Sequence, residues 1–510
     1  MKLTTVVLGA VMGALVVGGG VYQLTPRGGF EVAREPDPGQ PEGERTALGL
    51  ATGTSAGAPS ADFTAGEAVE VAARLAHPKL AETAGASTFV LVEVRGSSSA
   101  AGGAAPANLS LVIDKSGSMK GTRILHAIHA AEAAVDRLQD GDGVSVTAFD
   151  TRVETVVPHT RVDGGSRESI KAAIRRIQLG GDTCMSCGIE AGLSELRQAS
   201  PSGQADALQR MIVLSDGQAN HGVTDLPGFR SIAARAQTQA VSITTIGVDV
   251  DYDEKALSAL ALASNGRHYF VENDAALSRV FEAEAAALTQ SVAASAVAEI
   301  ELSPEVELVQ VFDRGFQRSG SRLTVPLGAI GKGETKTVLV ELRLPARAPG
   351  AQGIARVDVA YRDLVSDRPT KVGGELALLR VPSGEASSDT DALVLDRLQR
   401  SRTASALKEA NTLFSVGKSG EAKKKLEQAK QSLVESQSRA KGRAPAGRAR
   451  DVDDSFAMQE AELSRAASGF AEPPPAASPV AGAPKPASAP SREDKSNVKR
   501  NAQIATDLAF

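Results

Sequence analysis

Between Leu109 and Leu288, short continuous apolar runs alternate with apolar residues at helical spacing. That alternation limits what the chain can fold into more than any other feature. Leu109 to Ile113 reads as a buried strand. Ile124, Leu125, Ile128, Ala131, Val135 and Leu138 then share one helical face. Val144, Val146 and Ala148 alternate as in a strand. Ile170, Ile174 and Ile177, and then Ile189, Leu193 and Leu196, return to the helical period. Met211 to Leu214, Ile243 to Val248 and His268 to Val271 are further strands, and Ala275 to Leu288 closes the series as a helix. Apolar strands separated by amphipathic helices build an α/β unit whose open, mostly parallel, Rossmann-like sheet is covered on both faces.

At about Val292 the period changes. Val306 to Phe312, Arg322 to Pro326, Thr335 to Leu342, Ala355 to Tyr361 and Glu375 to Val381 are strands with no helix between them. Such spacing predicts a β-sandwich over 290–383. Thr88 to Val94 is also strand-like, so 63–107 is expected to join that sandwich and the α/β unit, 108–289, to be inserted into it. Stripes at Leu407, Ala410, Leu413 and at Ala422, Leu426, Leu433, separated by Gly417 to Gly420, predict a helical hairpin over 389–438. The remainder, 439–510, contains Pro473-Pro474-Pro475 and an Ala/Pro/Ser stretch, and is expected to be mostly disordered.

The first residues carry a targeting signal. After Lys2, Leu3 to Tyr22 has no charge and is long enough to span a bilayer core. Residues 1–24 are a signal anchor or a cleaved signal peptide, and both readings export the body of the chain. It would then be anchored in the cell membrane, facing the periplasm or the outside, or be released into the periplasm. Residues 25–62, with Glu35-Pro36-Asp37-Pro38, read as a disordered linker. A net charge of −5 argues against nucleic acid as a partner. Two cysteines in 510 residues are too few for a disulfide framework.

Three loops carry chemistry. The first strand of the α/β unit ends in Asp114-Lys115-Ser116-Gly117-Ser118, an acid and two hydroxyls at alternate positions of a glycine-containing turn. Gly180-Gly181-Asp182-Thr183 offers a hydroxyl before a helix. Ser215-Asp216-Gly217 offers a carboxylate after another buried strand. All three fall at strand ends or helix starts, where open α/β sheets place their ligands. Five oxygens, from Asp114, Ser116, Ser118, Thr183 and Asp216, suit a hard cation such as Mg²⁺ or Mn²⁺. Taken alone, an Asp or Ser in such a turn simply caps a helix.

Leu111 to Met119, then Gly181-Asp182-Thr183 with Gly188 five residues on, then Val213 to Gly217, together resemble the von Willebrand factor A family and its metal-ion-dependent adhesion site. The resemblance spans about Leu109 to Leu288. It implies that Asp114, Ser116 and Ser118 touch the metal, and that Thr183 and Asp216 do so directly or through water. Where family members often have Asn after the threonine, this chain has Cys184. The strands beyond are similar to the flanking sandwich of bacterial members related to inter-α-trypsin-inhibitor heavy chains. Two carboxylates cancel the ion's charge, and a coordination place left to water can take a partner protein's acidic residue. The expected function is therefore exported, membrane-associated, non-enzymatic and metal-dependent binding. A metal-dependent hydrolase and a structural envelope scaffold are the rivals, and no general base or phosphate-cradling loop favours the hydrolase.

Cys184 and Cys187 have the spacing of a redox motif without its fold context, so in an exported protein they read as a local disulfide or two free thiols. His126 and His129 lie three apart on a helix with no third ligand beside them.

Overall fold

A computed structural model describes residues 60–83, 86–99, 106–199, 208–386, 390–470 and 490–509. The segment Leu3 to Tyr22 and nearly all of the linker 25–62 lie outside these. Among the described residues no helix is long and apolar enough to cross a membrane.

Four strands come first: β1 (Asp62–Ala65), β2 (Val69–Leu75), β3 (Lys79–Ala81) and β4 (Ala86–Gly96). The α/β unit follows with β5 (Ala107–Asp114), α1 (Thr122–Arg137), β6 (Gly143–Phe149), β7 (Val153–Arg161), α2 (Ser166–Ile174) and α3 (Met185–Ala199). It continues with β8 (Leu208–Ser215), α4 (Leu226–Thr238), β9 (Val241–Val248), α5 (Glu254–Ala263), β10 (His268–Val271) and α6 (Leu277–Thr289). Its sheet runs β10-β9-β8-β5-β6-β7. Every pairing in it is parallel except that of β7 with β6. β7 was not foreseen, because its polar face and Pro158 weaken the strand pattern. An edge position tolerates both.

The pleat of β5 explains its uninterrupted apolar run. Leu109, Leu111 and Ile113 pack with residues of α1, α2 and α6 on one side. Val112 packs with residues of α3, α4 and α5 on the other. Each such fully buried side chain stabilises the fold by roughly 1.5–3 kcal/mol.

The sandwich contains β11 (Ser291–Leu302), β12 (Glu307–Phe312), β13 (Gln317–Ser319), β14 (Arg322–Gly331), β15 (Thr335–Leu344), β16 (Gly350–Asp363) and β17 (Arg368–Val381). One sheet has the order β1-β2-β4-β15-β12 and the other β13-β14-β11-β16-β17-β3. The strands before the α/β unit thus pair directly with strands after it, as β4 does with β15. In β4, Val90, Val92 and Val94 face the sandwich interior. Leu91 faces the other way, into a layer of helices.

That layer consists of α7 (Ala392–Ser415), α8 (Ser419–Ala440), α9 (Ala449–Gly469) and α10 (Arg492–Ala509). The expectation of a mostly disordered 439–510 is corrected here. In α9, Val452, Phe456, Leu463 and Ala466 are buried at helical spacing, followed by Phe470, and they complete the core begun by α7 and α8. In α10 it is Ala505 and Leu508 that enter this core. The proline-rich residues 473–475 lie outside the described residues.

Candidate metal centre

β5 sits in the middle of its sheet, with β8 on one side and β6 on the other. The connection after β5 runs to β6 and the one after β8 runs the opposite way to β9, so the crevice between the β5 and β8 ends is the natural ligand position. Asp114, the last residue of β5, is fully buried there. Its Oδ1 accepts the Ser116 N–H at 2.8 Å and its Oδ2 accepts the Ser215 hydroxyl at 2.6 Å. Burial pushes the Asp114 carboxyl up to about 6 against these hydrogen bonds, and the nearby Asp216 charge adds to the rise.

The other oxygens gather around it. The Ser116 and Ser118 hydroxyl oxygens are 3.0 Å apart. Ser118 Oγ donates to Asp216 Oδ1 at 2.6 Å. A Cβ placed on Gly217 would lie 3.4 Å from Thr183 Oγ1 and 3.5 Å from Ser118 Oγ. All three loops therefore meet around that glycine. Adjacent ligands on an octahedral Mg²⁺ at about 2.1 Å stand about 3.0 Å from each other. The two serine hydroxyls already have that spacing, the Ser118–Asp216 pair is closer at 2.6 Å, and the set contains only hard oxygen donors. These residues fit a small divalent cation.

The Thr183 loop is fixed from two sides. Its N–H donates to Asn220 Oδ1 at 2.9 Å. Asp150, beyond β6, accepts the Gly181 N–H at 3.0 Å and the Lys115 ammonium at 3.1 Å. Although burial raises the Asp150 carboxyl, hydrogen bonds from Arg152, Gly181 and Lys115 outweigh it and hold the group below the usual carboxylate range. Gly180 is required here, because a Cβ on it would meet Asp150 Oδ2 at 1.5 Å. Cys184 and Cys187, beside Thr183 and in the first turn of α3, are joined as a disulfide.

Three contributors were missed in the sequence. Ser215 holds Asp114, as described. Arg123, in the first turn of α1, donates from Nη1 to Asp216 Oδ2 at 2.8 Å and to the Ser118 carbonyl at 3.0 Å. Its Nη2 pairs with the third residue, Asp249. A cation in a helix's first turn is unfavourable against the helix dipole, and that was the available signal for Arg123. His126 faces Asp274 at 3.1 Å instead of a metal. Among the described residues no three His, Cys, Asp or Glu converge as a metal cluster. The candidate centre depends on hydroxyls.

Residues 108–283 match the family model for the von Willebrand factor type A domain. An uncharacterized protein of Synechocystis sp. is 26% identical over 303 residues, covering 58% of this chain and 70% of that one. Inter-alpha-trypsin inhibitor heavy chain H2 of Mus musculus is 29% identical over 156 residues, covering 29% of this chain and only 16% of the heavy chain. A solved structure, a von Willebrand factor type A protein from Catenulispora acidiphila, superposes with a TM-score of 0.61 at 20% identity. That superposition covers 75% of this chain and 88% of the other, and it shows a shared fold. The α/β unit of this chain, residues 108–283, is a von Willebrand factor type A domain.

Proposed function

We propose that the chain is a non-enzymatic binding protein that captures an acidic residue of a partner protein through a divalent ion, Mg²⁺ or Mn²⁺. The ion is held by Asp114, Ser116, Ser118, Thr183 and Asp216. The observation that carries this reading is the all-oxygen set with two carboxylates, in which Ser116, Ser118 and Asp216 oxygens stand 3.0 and 2.6 Å apart. Two carboxylates neutralise the ion without making the site anionic, so an incoming carboxylate still gains from it. Domains of this family commonly mediate metal-dependent protein interactions, which supports the assignment. Two of the charged neighbours of the ligands are tied up in pairs, Arg123 with Asp216 and Lys115 with Asp150, and neither is free to serve as an acid or base. That favours binding over hydrolysis, which needs a disposable acid or base.

The same proposal puts the body of the chain outside the cytoplasm, membrane-anchored or released into the periplasm. Its support is the uncharged run from Leu3 to Tyr22. The full chain, immobilised and exposed to envelope proteins, should retain a partner in Mn²⁺ and lose it in chelator. Retention unaffected by chelator would overturn the metal-dependent reading. A reporter fused after Asp62 that worked only in the cytoplasm would overturn export.

A further inference from the structure

The carboxylate of Asp216 already has a resident cation. Arg123 holds it through Nη1 and holds Asp249 through Nη2. Asp249 lies just past β9 with a left-handed φ of 63°. Its N–H bonds the Val271 carbonyl at 3.0 Å, and its Oδ1 accepts the Val250 N–H at 2.8 Å. A residue fixed in this way cannot follow Arg123 when the guanidinium moves. Asp249 Oδ1 also pairs with Arg492 Nη2 at 2.8 Å. Charges of alternating sign therefore run from a metal ligand to the first residue of α10: Asp216, Arg123, Asp249, Arg492.

α10 is held on this rim by further contacts. Lys495 pairs with Asp251 at 2.8 Å, and Arg500 pairs with Glu272 at 3.0 Å. Lys499 donates to the Tyr252 carbonyl at 2.8 Å and stands 4.3 Å over the Tyr252 ring. A guanidinium and a divalent ion compete for one carboxylate, because each lowers the negative charge available to the other. Arg492 in turn competes with Arg123 for Asp249.

Resting on the metal site proposed above, we propose that Arg123 sets the metal affinity of that site by competing for Asp216, and that α10 tunes the competition through Arg492 on Asp249. With Arg492 in place, Asp249 is partly satisfied and Arg123 stays on Asp216. Without it, Asp249 draws Arg123 away and the ion binds more tightly. Metal binding and the Arg492–Asp249 contact are then antagonistic, and by linkage each weakens the other by the same factor.

The test is calorimetric titration of the full chain with Mn²⁺. Arg123→Gln and Arg492→Gln should each raise affinity about fivefold or more, the lower end of typical coupling between sites. Asp249→Asn should lower it, because Arg123 is then left to Asp216 alone. Arg500→Gln removes an α10 pair without touching Asp249, and affinity should stay unchanged. The decisive variant is the double one. In an Arg123→Gln background, Arg492→Gln should have no effect, since the relay is already cut. An Arg492→Gln gain that persists in that background means a general field effect and overturns the relay. So does an Arg500→Gln gain equal to that of Arg492→Gln. Hydrogen exchange gives an independent readout, with Mn²⁺ expected to speed exchange in the first turn of α10, around Arg492, and unchanged exchange there counting against the antagonism. If neither wild type nor any variant binds Mn²⁺, the metal site itself fails and the coupling with it. If wild type binds and no variant shifts, only the coupling fails.

Discussion

The metal rim and the remainder of the molecule bury charge in opposite ways. Arg380, on β17, is almost wholly buried, and every nitrogen of its guanidinium is spent on the protein. It donates to Gln352 Oε1 at 2.7 Å, to the Ala81 carbonyl at 2.6 Å and to the Pro345 carbonyl at 2.8 Å. Glu284, on α6, is 1% exposed and closes on Arg210, Thr244 and Tyr269. Asp114 and Asp216 are about equally buried, yet their local partners are small hydroxyls, a backbone N–H and, for Asp216, Arg123. A buried charge that its surroundings fully satisfy serves the fold. One held mainly by rearrangeable hydroxyls is kept for an incoming cation.

That contrast is tested most severely at Glu284. Glu284→Ala leaves Arg210 without its carboxylate and should cost about 3–5 kcal/mol of stability, as broken buried pairs do, measured by urea unfolding. Burial raises the Glu284 carboxyl, but Arg210 and the Tyr269 and Thr244 hydroxyls outweigh it and hold the group below its usual range. Its contribution is therefore present above the unfolded glutamate pKa and lost as pH falls through the lower folded value. A wild-type-like unfolding midpoint in Glu284→Ala would erase the distinction between the two regions.

The next largest effect falls on metal. Asp114→Ala should reduce Mn²⁺ affinity more than 100-fold, beyond the 10–100-fold typical of groups that only orient a ligand. The metal-free protein should unfold near the wild-type midpoint, because a costly buried carboxylate has been removed. Undiminished Mn²⁺ binding by the variant in calorimetry would dissolve the proposed site. Ser215→Ala probes the orienting shell. Its hydroxyl is a 2.6 Å donor to Asp114 and accepts the Gly217 N–H at 3.3 Å. Affinity should fall about tenfold with the ion still bound. A fall as large as that of Asp114→Ala would make Ser215 a ligand instead.

How much of this was readable in advance follows the same division. The alternating period exposed the α/β sheet because its strands are apolar on both faces, as Leu111 and Val112 illustrate. The oxygen-bearing loops were readable because ligand chemistry restricts residue type at each place. Arg123, Asp249 and Arg492 were not, since they meet only when β9, α1 and α10 converge; the first-turn position of Arg123 was a local oddity, but no local spacing names Asp216 and Asp249 as its partners. The pattern in α9 was present in Val452, Phe456, Leu463 and Ala466 but was overshadowed by the basic residues Arg439, Lys441, Arg443, Arg448 and Arg450 around its start and the prolines after it. α10 hides more deeply. Much of its attachment to the α/β unit comes from ion pairs at Arg492, Lys495 and Arg500, which hydropathy does not register.

The smallest expected effect concerns the disulfide, the one covalent device at the metal rim. Cys184 and Cys187 are three residues apart, with Cα atoms 5.3 Å from each other. A loop so short removes little freedom from the unfolded chain, at most about 2 kcal/mol by the loop-closure relation. Its consequence should instead be local, because Cys184 follows Thr183 directly and its N–H is tied to the Asp150 carbonyl at 2.9 Å. Asp150 and Asn220 already hold the Thr183 loop, so the disulfide adds stiffness to a loop that is positioned without it. Reduction should therefore weaken Mn²⁺ binding only two- to threefold, on the order of 0.5 kcal/mol, and leave the fold intact by circular dichroism. Thiol labelling of native protein purified without reductant settles the premise, since two freely reactive thiols would show that no disulfide forms. A collapse of metal binding on reduction, comparable with that of Asp114→Ala, would mean that the rim relies on the disulfide more than on the Asp150 and Asn220 hydrogen bonds.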